Sequence, residues 1–269
     1  MPEVNRPPLD TQLLRRAVAE DPRLSFYSEL DVVDSTGSTN ADLLAKAADT
    51  GAHGRVLVAE SQDRGRGRHD RVWVSPPRAQ LALSISVRPR GIAPEAMGWL
   101  PLLTGVAVVD AVRAVTGLDA NLKWPNDVLI AGRKVAGILA EVSAGPDGPT
   151  VVVGIGLNVS LTQDELPVPH ATSLALAGAP DVDRTELLRL VLTEFARRYT
   201  QWSAAGWSVA SLIGDYRARC STLGVEVRAE LPGGQTLTGA AEDIDAHGRL
   251  LIGGRPVSAG DVTHLHGQY

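Results

Sequence analysis

Between Asn121 and Val142 the chain reads NLKWPNDVLIAGRKVAGILAEV, which is three apolar runs separated by two turn signals. Pro125 holds Trp124 extended and turns the chain with Asn126 and Asp127. Ala131, Gly132 and Arg133 form a hairpin. The spacing predicts a strand ending at Trp124, one over 127–131 and one over 134–142. Further strands are expected over 25–33, 55–60, 81–87 and 150–159. Helices are expected over Thr11–Glu20, after the Ser38-Thr39-Asn40 turn with Asn40 or Thr39 as N-cap, and over 94–115, 184–203 and 208–219. The 94–115 stretch is apolar all round and therefore buried.

Hairpins join some of these strands and helices join others. The expected fold class is therefore α+β, a mixed sheet flanked by helices, with the helices on one face. From Val225 onward the strands are short and broken by Pro232-Gly233-Gly234, His247-Gly248 and Gly253-Gly254. That rhythm predicts a small C-terminal β-barrel. The expected division is a main domain of residues 1–220 and a barrel domain of residues 221–269.

The chain has 269 residues, enough for one or two domains, and a single cysteine, Cys220. No intrachain disulfide can form, which suits a reducing compartment. The N-terminus resembles no signal peptide, residues 1–10 are expected to be only partly ordered, and no uninterrupted apolar run reaches about 18 residues. The expected location is cytoplasmic. The net charge of −5 and pI of about 5.7 weigh against general nucleic-acid binding.

Against that acidic background, Arg64, Arg66, Arg68 and Arg71 fall within eight residues, the first three separated by Gly65 and Gly67. Arginine keeps its charge and grips phosphate or carboxylate with parallel bonds, while glycine lets the chain pass close to a ligand. The loop points to one small anionic ligand, with a solvated loop or an RNA contact as the plain alternatives. Lys123 and Asp127 flank the KWPND turn, where lysine can neutralise phosphate and aspartate can hold Mg²⁺. Lys134 opens an apolar strand, as a buried cation or an edge lysine. Gly154 and Gly156 lie inside a strand, which marks close approach of a ligand or of a helix. Ser38, Thr39, Asn40 and Gln62 offer neutral donors and acceptors, or simply a helix cap.

The ordered set of Ser-Thr-Asn, GRGRxxRxW, KWPND, RKxAGIL and GIGLNV resembles the biotin–protein ligase family, over about Ser35 to Ser160. The resemblance implies a mixed-sheet biotin/ATP-binding catalytic domain followed by an SH3-like barrel. It also implies joining of biotin to ATP as biotinyl-5′-AMP and transfer to a lysine of a biotin carboxyl carrier protein. By the family's motifs, Ser38, Thr39, Asn40, Gln62, Gly65, Arg66, Gly67, Arg68, Lys134, Gly137, Gly154 and Gly156 would bind biotin, the last three giving room to its valeryl chain. Arg68, Trp73, Lys123, Asn126, Asp127 and Asn158 would bind ATP. Asp127 would hold Mg²⁺, and Lys134, Arg66 and Arg68 would carry the catalysis. Asp70 departs from the family's usual glycine. Only one short helix precedes Ser38, so a helix-turn-helix is not expected and neither is DNA binding. No membrane partner is expected, and the chain is read as a monomer or weak homodimer. A lipoate- or octanoate-protein ligase is the alternative enzyme, and a non-catalytic RNA-binding protein the alternative of another class.

Overall fold

The protein is described from a computed structural model, over residues 5–49, 51–145, 148–231, 233–258 and 260–265. Strands β1 (Glu29–Val33), β2 (Arg55–Ala59), β3 (Gln80–Val87), β4 (Ala120–Lys123), β5 (Asp127–Ile130), β6 (Arg133–Ser143) and β7 (Thr150–Asn158) form one sheet in the order β1-β2-β3-β7-β6-β5-β4. β1 and β2 are parallel and the remaining pairs antiparallel. The mixed sheet expected from the connections is therefore present. The two short turns of the 121–142 segment produce the β4-β5-β6 meander.

Alternation along the three central strands gives the sheet two unlike faces. One face carries Leu81, Leu83 and Ile85 of β3, Val153, Ile155 and Leu157 of β7, and Ala136 and Ile138 of β6, all buried. Each large aliphatic side chain among them contributes about 1.5–3 kcal/mol by leaving water. Helices α3 (Trp99–Thr116) and α4 (Arg184–Ala204) supply the opposing apolar surface. The stretch Pro94–Thr116 is long and apolar enough to cross a bilayer, its most apolar 18 residues having mean hydropathy 1.4, yet 67% of those residues are buried inside the fold. It is the core helix. Gly105 lets it close on the sheet, because a Cβ there would sit 2.8 Å from the Leu122 side chain.

The other face reads Gln80, Ala82 and Ser84 on β3, Asn158, Gly156 and Gly154 on β7, and Gly137, Leu139 and Glu141 on β6. Small and polar residues cannot hold a second apolar layer, so this face is left for the short helix α2 (Thr39–Ala45) and for the arginine loop. Helices thus lie on both faces rather than on one, since the crossover between parallel β1 and β2 places α2 opposite α3. The N-cap of α2 is Ser38, whose hydroxyl accepts from the Ala41 N–H at 3.4 Å, rather than Thr39 or Asn40. α1 (Thr11–Glu20) ends as expected, whereas the first strand begins at Glu29, because Pro22–Leu24 forms a 3-10 turn.

After α5 (Ala210–Arg217) come β8 (Glu226–Glu230), β9 (Thr236–Ile244), β10 (Leu250–Ile252), β11 (Arg255–Val257) and β12 (Asp261–His264). They form an antiparallel sheet in the order β11-β10-β9-β8-β12. Among the described residues the edge strands β11 and β12 are not bonded to each other. The expected barrel is thus an open five-stranded sheet, in which the three-residue β11 reaches only β10. Two buried indoles anchor it: Trp124 donates to the Gly248 carbonyl at 3.0 Å and Trp99 to that of Ala246 at 2.9 Å. The Trp124–Pro125 turn, whose peptide bond is cis, faces the second sheet.

Candidate active site

A cavity of about 540 Å³ opens between the polar sheet face, the arginine loop, the 167–171 segment and β12. Ser38, Thr39, Asn40, Gln62, Arg66, Gly67, Arg68, Trp73, Lys123, Asn126, Asp127, Lys134, Gly137, Gly154, Gly156 and Asn158 all line it. Gly65 does not line it. Gly65 closes the base of the loop, where its carbonyl accepts from the Trp73 N–H at 2.8 Å and a Cβ would overlap the Trp73 carbonyl. Arg64 is also outside, 84% exposed in its side chain and 3.5 Å from Asp63. The side chain of Asp70 lies outside the described set, as do residues 1–4 of the N-terminal segment.

One end of the cavity is a chain of hydrogen bonds. The Gln62 Oε1 accepts from the Thr39 backbone at 2.8 Å and its hydroxyl at 3.1 Å. The Thr39 and Ser84 hydroxyls are 2.7 Å apart, and Ser84 donates to the Asn40 Oδ1 at 2.6 Å. Asn40 then donates through Nδ2 to Glu141 at 2.8 Å and to the Leu139 carbonyl at 3.2 Å. Asn40 occupies the space over Gly154 that any Cβ would need. Thr39, Asn40 and Ser84 are buried, so these fixed dipoles present directed, uncharged partners.

The other end is charged. The Lys134 Nζ lies 2.6 Å from the Asp127 Oδ1 and 5.3 Å from the centre of the Trp73 ring. That Asp127 oxygen is buried and accepts no well-aligned hydrogen bond among the described residues, so the contact is ionic. The Trp73 indole fills the room above Gly137 and Gly156 and donates to the Gln80 Oε1 at 2.7 Å. Asn126 donates to the Ile138 carbonyl at 3.0 Å and Asn158 to that of Thr172 at 2.9 Å. His170 sits nearby, its pKa lowered by burial and then by Lys123 and Lys134.

The arginine loop closes over both ends. Arg66 donates to Glu141 at 3.0 Å. Arg68 bridges Asn126 at 3.1 Å and the Gly260 carbonyl at 3.2 Å. Arg71 pairs with Asp261, and the His69 Nε2 lies 3.9 Å from the same carboxylate. Burial pushes the Arg68 guanidinium below its usual range, with Asp261 and Asp127 acting in the opposite direction.

Gln80, Ser84, Glu141, His170 and Asp261 are site residues that the sequence alone does not single out. Gln80 and Ser84 carry a signal there, as polar residues alternating with apolar ones in a buried strand. The other three owe their positions to contacts distant along the chain. Among the described residues no three His, Cys, Asp or Glu side chains converge as a metal site. Mg²⁺ is commonly held by one or two carboxylates together with phosphate oxygens, and Asp127 is a carboxylate on this cavity wall.

Five cations, Arg66, Arg68, Arg71, Lys123 and Lys134, thus share one cavity with neutral hydrogen-bonding groups and with Asn126 and Asn158. A profile of the Biotin/lipoate A/B protein ligase family matches residues 31–158, and one of the Biotin protein ligase C terminal domain matches residues 222–265. The chain is 49% identical to the Biotin--[acetyl-CoA-carboxylase] ligase of Mycobacterium tuberculosis over 97% of each protein. It is 34% identical to the Bifunctional ligase/repressor BirA of Bacillus subtilis, over 82% of this chain and 67% of that one. The biotin protein ligase from Aquifex aeolicus in complex with biotin and ATP superimposes with TM-score 0.74 at 29% identity, covering 88% of this chain and 98% of that one. The chain belongs to the biotin protein ligase family.

Proposed function

We propose that this protein activates biotin with ATP to biotinyl-5′-AMP and transfers the biotinyl group to a lysine of a carboxylase's biotin carboxyl carrier domain. The observation that carries this reading is that Arg66, Arg68 and Lys134 line one cavity together with Thr39 and Gln62 and with Asn126 and Asn158. Biotin's ureido ring is neutral and needs directed partners, which Ser38, Thr39 and Gln62 offer. The nucleotide takes the end lined by Trp73, Lys123, Asn126, Asp127 and Asn158. The division into residues 1–220 for this chemistry and 221–269 for the smaller sheet is part of the same reading.

Two anions must meet between the ends. A biotin carboxylate oxygen bonds to the α-phosphorus as the bond to the bridging oxygen of pyrophosphate breaks. Lys134 and the two arginines offset the repulsion and the charge on the α-phosphate oxygens, so the protein acts by alignment and electrostatics. Mg²⁺ held by Asp127 would neutralise part of the triphosphate charge. In the second step a neutral lysine amine of the carrier attacks the acyl carbon, AMP departs and the amine proton passes to water.

The test is incubation with ATP, Mg²⁺, labelled biotin and a carrier domain. Biotinyl-AMP, pyrophosphate and labelled carrier are expected. Labelling by lipoate alone would overturn the choice of acid. Absence of any acyl-AMP, together with salt-sensitive RNA binding, would overturn the enzyme reading.

A further inference from the structure

Arg66 spends one nitrogen, Nη2, on Glu141, at 3.0 Å from Oε1 and 3.2 Å from Oε2. The same carboxylate accepts from the Asn40 amide at 2.8 Å. Glu141 is therefore the link before the last in an unbroken series: Gln62, Thr39, Ser84, Asn40, Glu141, Arg66. The series begins where the ring of biotin is proposed to sit and ends on the glycine-flanked arginine of the loop. Each inner member is fixed. Asn40 is pinned on both amide atoms and wedged over Gly154, and Ser84 stands on the central strand β3. Register places Glu141 opposite Val152, on the same sheet face as Gly154 and Ser84.

We propose that Glu141 is a positioning residue for Arg66, and that it couples occupation of the ring seat to retention of the adenylate. The proposal rests on the biotin reading of the cavity. Glu141 does not touch the reacting atoms. Its carboxylate fixes one nitrogen of the guanidinium, and the Nε and Nη1 of Arg66 remain for the acyl phosphate. A charged acceptor is needed because a hydrogen bond between ionised partners is roughly twice as strong as one between neutral groups. The pair is partly exposed, with side-chain exposures of 41% for Arg66 and 26% for Glu141, so the effect is modest in size. Its selectivity is what identifies it. Ligand at the ring end stiffens the inner members, and a stiffer Glu141 holds Arg66 longer.

Four variants test this: Glu141→Gln, Glu141→Ala, Arg66→Ala and the Glu141→Gln/Arg66→Ala double. Free-biotin affinity is measured by calorimetry without ATP, and adenylate dissociation by single-turnover chase. Glu141→Gln keeps an acceptor for Asn40 and removes the anion beneath Arg66. It should release biotinyl-AMP about fivefold faster, as expected for losing a partly exposed charge pair, while the biotin Kd moves less than about twofold. Glu141→Ala severs both links and should weaken biotin as well. The double variant should release adenylate no faster than Arg66→Ala alone, because both act through one contact. Equal release from wild type and Glu141→Gln, or full additivity in the double, overturns the positioning role. Failure of the wild type to bind biotin or make any adenylate would instead sink the underlying reading, so the two failures are told apart by the wild-type arm.

Discussion

Arg71 of the arginine loop is paired with Asp261 at the head of β12, so the loop is clasped by the second sheet as well as by the first. A carboxylate on the wall of a cavity read as taking a triphosphate would be costly unless it had a cationic partner. Here it neutralises Arg71, draws in His69 and leaves the Gly260 carbonyl to Arg68. Asp261 thereby preorganises the loop, which lowers the entropy lost when nucleotide binds. Asp261→Asn should raise the KM for ATP about two- to fivefold and leave that for biotin nearly unchanged. The range is small because the pair is exposed by 66% and 33%. Initial rates against each substrate decide it, and a larger effect on biotin would count against the assignment.

Lys134 is expected to matter far more. It lies at the charged end of the cavity, over Trp73, and its ammonium already compensates a buried Asp127 oxygen. Lys134→Ala should slow adenylate formation on the order of 10²-fold or more, the cost of losing a preorganised donor at a developing charge. Pyrophosphate release at near wild-type rate would remove Lys134 from the mechanism.

Gly156 is fixed by Trp73. A methyl group at position 156 would overlap the indole, whose only escape is into the cavity or away from Gln80. Gly156→Ala should therefore weaken ATP binding by about tenfold, the order of effect of one displaced aromatic wall, and shift the Trp73 contribution to fluorescence. Gly214 is the matched control. It lies inside α5 with nothing within 4 Å of the place a Cβ would take, so Gly214→Ala should add about 0.5–1 kcal/mol of stability without touching catalysis.

The fold is legible in the sequence where local rules decide it. The 121–142 hairpins, the helix of Thr11–Glu20 and the all-apolar core helix follow from turn chemistry and periodicity. The charged and neutral motifs also converge on one cavity, because sequence spacing places them at strand ends and in adjoining turns. What stays hidden is what depends on register. Gly137 and Gly156 become neighbours only through the β6–β7 pairing, and only then does the need for Trp73 above them appear. Glu141 and Asp261 look like surface acids until folding brings Arg66 and Arg71 to them across 75 and 190 residues. The openness of the second sheet is hidden for a similar reason, since strand rhythm reports the number of strands and not whether the edges meet.

Glu60 and Arg184 form the most buried ion pair near the site, at 2.7 Å with side chains 5% and 7% exposed. Arg184 also donates to the Gln80 carbonyl at 3.1 Å, and Glu60 accepts from the Leu9 N–H at 2.6 Å. The pair ties the N-terminal segment, α4 and the Trp73 support together. Removing one partner strands a buried charge, at a cost of about 3–5 kcal/mol. Glu60→Ala should lower Tm by about 6–20 °C, given about 2–4 °C per kcal/mol at this size. Replacing Glu60 by Gln and Arg184 by Met together should cost much less, and equal losses in single and double variants would show that packing, not charge, is responsible.

Stability should also fall on mild acidification, through three partly buried histidines of which His53 is one. Its ring lies 5.1 Å from Phe26 and 5.9 Å from Tyr199, and its Nδ1 accepts the Arg88 N–H at 3.1 Å. Burial, then Arg90 and Arg88, hold its pKa below 6.5. His170 and His264 shift the same way, again chiefly through burial. In the unfolded chain these rings take up protons as pH drops through about 6.5, and in the folded protein they do so only at lower pH. Between those points the unfolded state binds more protons, so stability declines as pH falls and levels off below the folded values. Carboxylates held low by arginines, such as Glu165 with Arg6 and Glu186 with Arg189, add a separate loss only below about pH 4.5. Tm measured from pH 7.5 down to about 5 should therefore fall before these carboxylates titrate. His53→Gln keeps an acceptor for Arg88 and should flatten that first limb. An unchanged slope in the variant would assign the acid sensitivity to the other two rings.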